Sequence, residues 1–147
     1  MATVAEQIAA LNEQRAAAVA EKADYENKSK EYIEASESAA TASSTLSTSA
    51  TVCDEQYTSC DPILGSGGYF SPSTNIIGNN LVDMSTSITA AIDDIKTITN
   101  NISTIASGYS AWASAYAEEA IYWREKADEK QTEIDGITAQ LNALGAG

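Results

Sequence analysis

Two cysteines, Cys53 and Cys60, are the sharpest chemical feature of the sequence. In a continuous helix, residues seven apart are separated by about 10 Å along the axis, which is too far for a disulfide bond. If residues 54–59 form a turn instead, the thiols can pair and close a small loop, as suits an oxidising exterior. The alternative is two reduced thiols, with Cys53 a small core residue. We expect the disulfide.

Carboxylates are the other residues that could do chemistry, and five of them lie close together in the second half of the chain: Glu118, Glu119, Glu125, Asp128 and Glu129. On a helix whose apolar face is intact, we interpret them as a solvated face rather than an acid–base site. The chain has no histidine, which is the commonest general base and metal ligand. We therefore expect no catalytic, cofactor-binding or metal-binding residues, and no enzyme activity.

Aromatic side chains could recognise a partner. Tyr57, Tyr69 and Phe70 lie in a stretch, 53–80, that contains four of the eight glycines and both prolines. Pro62 and Gly65 are the first residues there that do not fit a long helix. We predict an irregular tip over 53–80, with these three aromatics as its recognition residues.

The charge balance restricts the possible partners. The chain has 147 residues, 8 Lys and Arg against 21 Asp and Glu, and a formal net charge of −13. Such a surface repels nucleic-acid phosphates and anionic lipids, and no apolar run is long enough to span a bilayer. The first residues lack the basic and apolar regions of a secretory signal. We expect synthesis in a cytoplasm, no nucleic-acid binding and no membrane insertion.

Apolar residues recur at alternating spacings of four and three residues from Ile88 to Leu144, interrupted by Thr99 and Lys130. This spacing is typical of a helix that packs one seam against another helix, and it predicts a helix over 81–144. Ile98, Ile105 and Trp112 form an additional apolar flank beside the seam. The predicted seam consists chiefly of Ile88, Ile92, Ile95, Ile102, Tyr109, Tyr116, Trp123, Ile134, Ile137, Leu141 and Leu144.

The first part of the chain carries a matching pattern. Thr3 followed by Glu6 fits a capping box, which predicts a helix start. From Val4 to Cys53 an apolar residue recurs every seven residues. The second position of this heptad pattern is occupied by apolar and polar residues alike: Ile8, Arg15, Lys22, Ser29, Ser36, Ser43 and Ala50. We predict a first helix over 4–52. Its Ser/Thr-rich part, 36–51, contains poor helix formers, so we expect packing to hold it, with fraying as the alternative.

Together these patterns predict a single all-α domain, an elongated antiparallel helical hairpin that assembles into a helical bundle. We expect a register in which paired position numbers add to about 141, with Tyr25 beside Tyr116 and Tyr32 beside Tyr109. Two helices cannot cover an apolar face this wide, so we expect a homo-oligomer or docking onto other structural proteins.

Two segments resemble known proteins. The run YIEASESAATASSTLSTSAT (32–51) resembles stalk segments of tailed-phage fibre and virion structural proteins, and AYAEEAIYWREKADE (115–129) is similar to their aromatic-plus-alanine helical repeats. The resemblance implies a non-enzymatic virion part, such as a fibre, decoration or connector protein. A virion location would reconcile a leaderless chain with a disulfide. The globular receptor-binding domain usual in fibres is absent.

The chain also resembles leaderless helical-hairpin proteins of the type VII secretion class in length, acidity and hairpin pattern. It departs from them in having Gly67-Gly68-Tyr69 where their Trp-x-Gly turn would stand. The function we expect is therefore a structural component of a large assembly that self-associates through helical seams. The alternative is a leaderless secreted effector or adhesin-like module that binds through the 53–80 tip.

Overall fold

The computed structural model describes residues 2–64 and 79–145, and it describes side-chain environments for these residues outside 60–85. The described residues form two helices and no strand: α1 spans Val4–Leu64 and α2 spans Asn79–Ala143. The two helices are antiparallel, because Ser29 of α1 contacts Ala120 of α2, whereas Ser43, later in α1, contacts Ala106, earlier in α2. The predicted all-α antiparallel hairpin is confirmed.

The start of α1 is a capping box. The backbone N–H of Thr3 donates to Glu6 Oε2 at 2.7 Å, and the N–H of Glu6 donates to Thr3 Oγ1 at 3.3 Å. Hydrogen bonds to the Glu6 carboxyl from the Thr3 backbone and, after it, the Thr3 side chain hold the pKa of that carboxyl below its ordinary value. Two N–H groups that lack helical partners are satisfied in this way.

The predicted end of the first helix is wrong. α1 does not stop near residue 52 but continues to Leu64. Residues 53–61 contain neither glycine nor proline, and Pro62, which cannot donate a helical hydrogen bond, lies only two residues before the end of α1. The Ser/Thr-rich stretch 36–51 is helical throughout. α2 begins at Asn79, close to the predicted 81.

The end of α2 is set by a glycine. Gly145 has a φ of +77°, the left-handed conformation that glycine adopts without steric penalty. The N–H of Leu144 donates to the carbonyl of Gln140 at 3.1 Å, and the N–H of Gly145 donates to that of Asn142 at 3.1 Å. These bonds satisfy carbonyls of the last helical turn.

The chain divides into two compact units, each containing one stretch of both helices. Unit 1 consists of Met1–Ser38 and Trp112–Gly147, and unit 2 of Ala39–Ala111. In each unit the less exposed side chains of α1 and α2 follow the alternating three- and four-residue spacing of the seams. Ile95 departs from the series, since it is 43% exposed.

Serine hydroxyls reveal the register of the two helices. Within unit 1, Ser29 Oγ donates to the carbonyl of Ala120 at 2.9 Å, and Ser36 Oγ to that of Ala113 at 2.8 Å. Within unit 2, Ser43 Oγ donates to the carbonyl of Ala106 at 2.8 Å. The position numbers of each pair add to 149.

The expected register of about 141 is therefore wrong by about one heptad. Tyr25 packs against Trp123 rather than Tyr116, and Tyr32 packs against Tyr116 rather than Tyr109. The reason is that a seam repeating every seven residues offers similar residue types after a shift of seven, so the pattern of apolar residues does not discriminate between such registers. The serine–carbonyl bonds observed in the structure identify the register that the helices adopt.

Candidate interaction surfaces

The predicted disulfide is wrong. Cys53 is a free, half-buried thiol on the α1 seam. α1 stays helical from 53 to 60, which separates the two residues by about 10 Å along the axis. The side chain of Cys60 lies outside the described residues. Among the side chains that the structure describes, no group of three or more His, Cys, Asp or Glu could hold a metal ion.

One member of the acidic cluster of α2, Glu129, forms an ion pair at the surface. Lys126 Nζ lies 2.7 Å from Glu129. Lys130, one of the two polar residues of the α2 seam, lies 2.8 Å from Glu133 and 2.7 Å from Glu21 of α1. Hydrogen bonds to Glu133 and then Glu21 raise the pKa of Lys130 above its ordinary value. Lys130 thus occupies the seam by pairing across it.

An aromatic cluster lies in unit 1 around Trp123. The ring centroids of Tyr25 and Trp123 are 5.5 Å apart, and those of Tyr122 and Trp123 are 5.1 Å apart and nearly perpendicular, at 77°. Lys28 Nζ lies 4.5 Å from the Trp123 centroid, a cation–π distance. These contacts cover Trp123, so its role is packing between the helices rather than stacking on a ligand.

Of the three recognition residues predicted for the tip, the structure describes one. Tyr57 lies on α1 and is half-buried. Lys96 of α2 places its Nζ 5.4 Å from the centroid of the Tyr57 ring. Tyr57 therefore contributes to the contact between the helices of unit 2, contrary to the prediction of a tip residue. Tyr69 and Phe70 lie outside the described residues.

The buried core is built mainly of alanine. Nine apolar residues are buried among those described, and six of them are alanine; the large ones are Ile92, Ile137 and Leu141. Ser29 and Thr99 are the buried polar residues. Small seam residues let the helix backbones approach closely enough for the serine–carbonyl bonds, at the expense of buried apolar area.

Several larger apolar side chains are exposed. Ten are exposed among the described residues, with fractions between 43% and 59%: Val4, Val19, Ile33, Val52, Ile95, Ile98, Ile105, Trp112, Ile121 and Tyr122. The flank of Ile98, Ile105 and Trp112, anticipated from spacing, belongs to this set. Sequence reasoning missed Val52 and Ile121 because it followed the seam positions, and both residues stand outside them.

Each unit has a groove between its helices. One groove of unit 1 encloses about 260 Å³ and is walled by Ile33 and Ile121 above small seam residues such as Ser29 and Ala120. A second groove of unit 1 encloses about 480 Å³ and is lined by Gln7, Ala10, Leu11, Gln140, Ala143 and Leu144. The groove of unit 2 encloses about 460 Å³, and its lining is dominated by short polar side chains, with one carboxylate: Ser47, Thr51, Asp54, Thr99, Asn100, Ser103 and Ser107. The surfaces of the two units thus differ in chemistry.

No family model, no curated protein and no solved structure matches this chain. In the part of the chain that the structure describes, neither helix has a stretch apolar enough to cross a membrane.

Proposed function

We propose that this protein is a non-enzymatic structural component of a large assembly. In this role the hairpin binds further helices, copies of itself foremost, through apolar side chains that it leaves exposed. The observation that carries the proposal is the number of exposed large apolar residues: among the described residues ten are exposed and only three are fully buried, the others being half-buried.

These exposed residues favour association for a thermodynamic reason. Burying a large apolar side chain contributes about 1.5–3 kcal/mol relative to leaving it exposed. Scattered exposed apolar residues are normal, but here they outnumber the buried ones on a two-helix fold with an alanine core. Contact with another helix would cover them and extend the thin core.

A virion is the assembly we propose, and the support is the resemblance of segments 32–51 and 115–129 to helical parts of tailed-phage fibre and virion proteins. In that setting the protein would be a fibre, decoration or connector component, located in the particle or outside the cell after release. The rival role, a binding module that uses its tip, loses one of its three recognition residues because Tyr57 packs under Lys96.

Native mass by light scattering tests the proposal. Samples over a hundredfold range of concentration, kept reduced so that Cys53 cannot cross-link, should show a mass that rises from 15.4 kDa to an integral multiple of it. A mass of 15.4 kDa at every concentration would contradict self-association.

A further inference from the structure

One part of the hairpin lacks charge altogether. Residues 39–53 of α1 and 97–111 of α2 contain no Asp, Glu, Lys or Arg, although the chain as a whole carries −13. Both stretches belong to unit 2. We call these residues the charge-free zone. Asp54 follows it on α1 and Lys96 precedes it on α2.

The two stretches of the charge-free zone pack side by side. Ser43 of α1 donates its hydroxyl to the carbonyl of Ala106 of α2 at 2.8 Å. The groove of unit 2 is lined from both, by Ser47 and Ala50 on one helix and Ser103 and Ser107 on the other. The two stretches are therefore neighbours in unit 2, and Asp54, at the border of the zone, also lines the groove between them.

The charge-free zone carries exposed apolar side chains. Ile98 is 54% exposed, Ile105 is 52% exposed and Val52 is 49% exposed. Ile98 and Ile105 stand seven residues apart, which places them on the same side of α2. Ile95, exposed as well, lies three residues before Ile98 and continues this stripe. The stripe is a second apolar seam beside the one that faces α1.

Hydroxyl groups in the charge-free zone are already hydrogen-bonded. On α1, Thr45, Thr48, Ser49 and Thr51 each donate to the backbone carbonyl four residues earlier at 2.9–3.0 Å. On α2, Thr97, Thr99, Thr104 and Ser107 do the same at 3.0 Å. Because these donors need no further partner, burying the surface leaves few unsatisfied groups.

We propose that the charge-free zone binds the charge-free zone of a second copy of this chain, around a two-fold axis. The inference rests on the proposed function, and it adds where on the hairpin self-association takes place and which molecule binds there. A second copy carries the same net charge of −13, so approach through the acidic surfaces is repelled. The charge-free zone is the surface where this repulsion is smallest and apolar area is available.

The charge pattern favours a second copy over other occupants. A basic partner would gain most by binding where carboxylates are dense, which is outside the charge-free zone. A two-fold contact makes the same patch meet itself, and an uncharged patch with exposed isoleucines is compatible with itself. Association of two like-charged copies should also strengthen as salt screens their repulsion.

The variant Ile105→Glu tests the proposed location. It adds a carboxylate to the charge-free zone, and we expect it to raise the dissociation constant of the self-associated form at least about tenfold. The matched control is Ile121→Glu, which makes the same exchange at a residue that is 59% exposed in unit 1. We expect the control to change the constant by less than about threefold. Sedimentation equilibrium gives both constants, and far-UV circular dichroism checks that the helices are retained.

Ile98→Glu is the second variant and should behave like Ile105→Glu. For the wild type, raising the salt from about 0.01 M to about 1 M, which shortens the screening length from about 30 Å to about 3 Å, should lower the dissociation constant. If the wild type associates but Ile121→Glu weakens it as much as Ile105→Glu does, the location is wrong and the proposed function stands. Association that weakens with salt would also overturn the location. A wild type that stays monomeric overturns both.

Discussion

Units 1 and 2 use the same pair of helices and the same serine–carbonyl contact, yet their surfaces differ. Unit 1 contains every ion pair found among the described residues, including Lys130–Glu21 between the helices, and the aromatic cluster around Trp123. The helices of unit 2 contact each other partly through small residues such as Ala106 and through the hydroxyl group of Ser43. The large aliphatic side chains Ile98 and Ile105 of this unit are exposed. Both units expose large apolar side chains, six in unit 1 and four in unit 2, but Ile98 and Ile105 of unit 2 lie in the charge-free zone. The comparison therefore favours unit 2 as the site for a second copy because charge is absent there, not because it exposes more apolar area.

The largest effect that would sharpen this comparison is expected from Trp123→Ala. Trp123 contacts Tyr25, Tyr122 and Lys28 within unit 1, and truncating it should lower the free energy of unfolding by about 3 kcal/mol, since large-to-small changes of aromatic residues in packed sites cost about 3–5 kcal/mol. Urea unfolding followed by circular dichroism measures the change.

Trp112→Ala is the matched control for that variant. Trp112 is 58% exposed, so the same substitution should change the unfolding free energy of dilute protein by less than about 1 kcal/mol. Equal losses for the two tryptophans would contradict the view that unit 1 packs around Trp123.

A smaller effect is expected from Ser29→Ala, which removes the hydroxyl that bonds to the Ala120 carbonyl in a buried position. A hydrogen bond of this kind contributes about 0.5–1.5 kcal/mol. The control is Ser38→Ala, at an exposed position, where higher helix propensity should stabilise by a few tenths of a kcal/mol. Thermal unfolding of both variants should therefore show Ser29→Ala to be about 1 kcal/mol less stable than Ser38→Ala. Equal stabilities would show that the serine contacts do not hold the register.

The sequence predicts some of these features and not others, for physical reasons. The helical period and the capping box at Thr3 depend on neighbours along the chain, and they could be read directly. The register could not, because the heptad repeat is nearly unchanged by a slide of seven residues, which exchanges Tyr116 for Trp123 opposite Tyr25. The prediction ends α1 at residue 52 because the whole stretch 53–80, which contains Pro62 and Gly65, is assigned to an irregular tip, whereas the helix continues to Leu64.

The candidate surface was predicted in part. The spacing of Ile98, Ile105 and Trp112 identified a flank beside the seam, and all three residues are exposed. The apolar pattern did not show that the charge-free stretches of α1 and α2 lie beside each other. That coincidence depends on the pairing of Ser43 with Ala106, and so on the register. Ile95 was assigned to the seam on spacing and is exposed instead.

Glycine substitutions test whether the two helices approach each other closely at a glycine in either unit. A Cβ added to Gly108 in unit 2 or Gly136 in unit 1 would meet nothing within 4 Å. Gly108→Ala and Gly136→Ala should each raise the unfolding free energy of dilute protein by about 0.5–1 kcal/mol, through helix propensity. Thermal unfolding checks this, and a loss of stability in either variant would reveal a close contact at that residue.

The smallest effect is expected at high pH and concerns the ion pair of unit 1. The pKa of Lys130 is raised in the folded state by Glu133 and Glu21, so its contribution to stability is fully present below the unfolded-state pKa of about 10.4. It is lost as pH rises through the higher folded-state pKa. Lys130→Met should therefore make stability fall less steeply above about pH 10 than in the wild type.

Lys30→Met is the control for the pH profile, because Lys30 Nζ lies 3.9 Å from Glu34 and both side chains are well exposed. Its alkaline profile should follow that of the wild type. The same flattening in both variants would mean that the pairing of Lys130 across the seam has no particular role.

Hydrogen exchange followed by mass spectrometry, at a low and a high protein concentration, tests the central claim most directly. Amides of residues 97–111 in unit 2 should exchange more slowly at high concentration, because a second copy covers that stretch and suppresses opening of the helix. Amides of residues 112–143 in unit 1 should change much less. Protection that rises in unit 1 but not in 97–111, or that does not depend on concentration anywhere, would contradict the account.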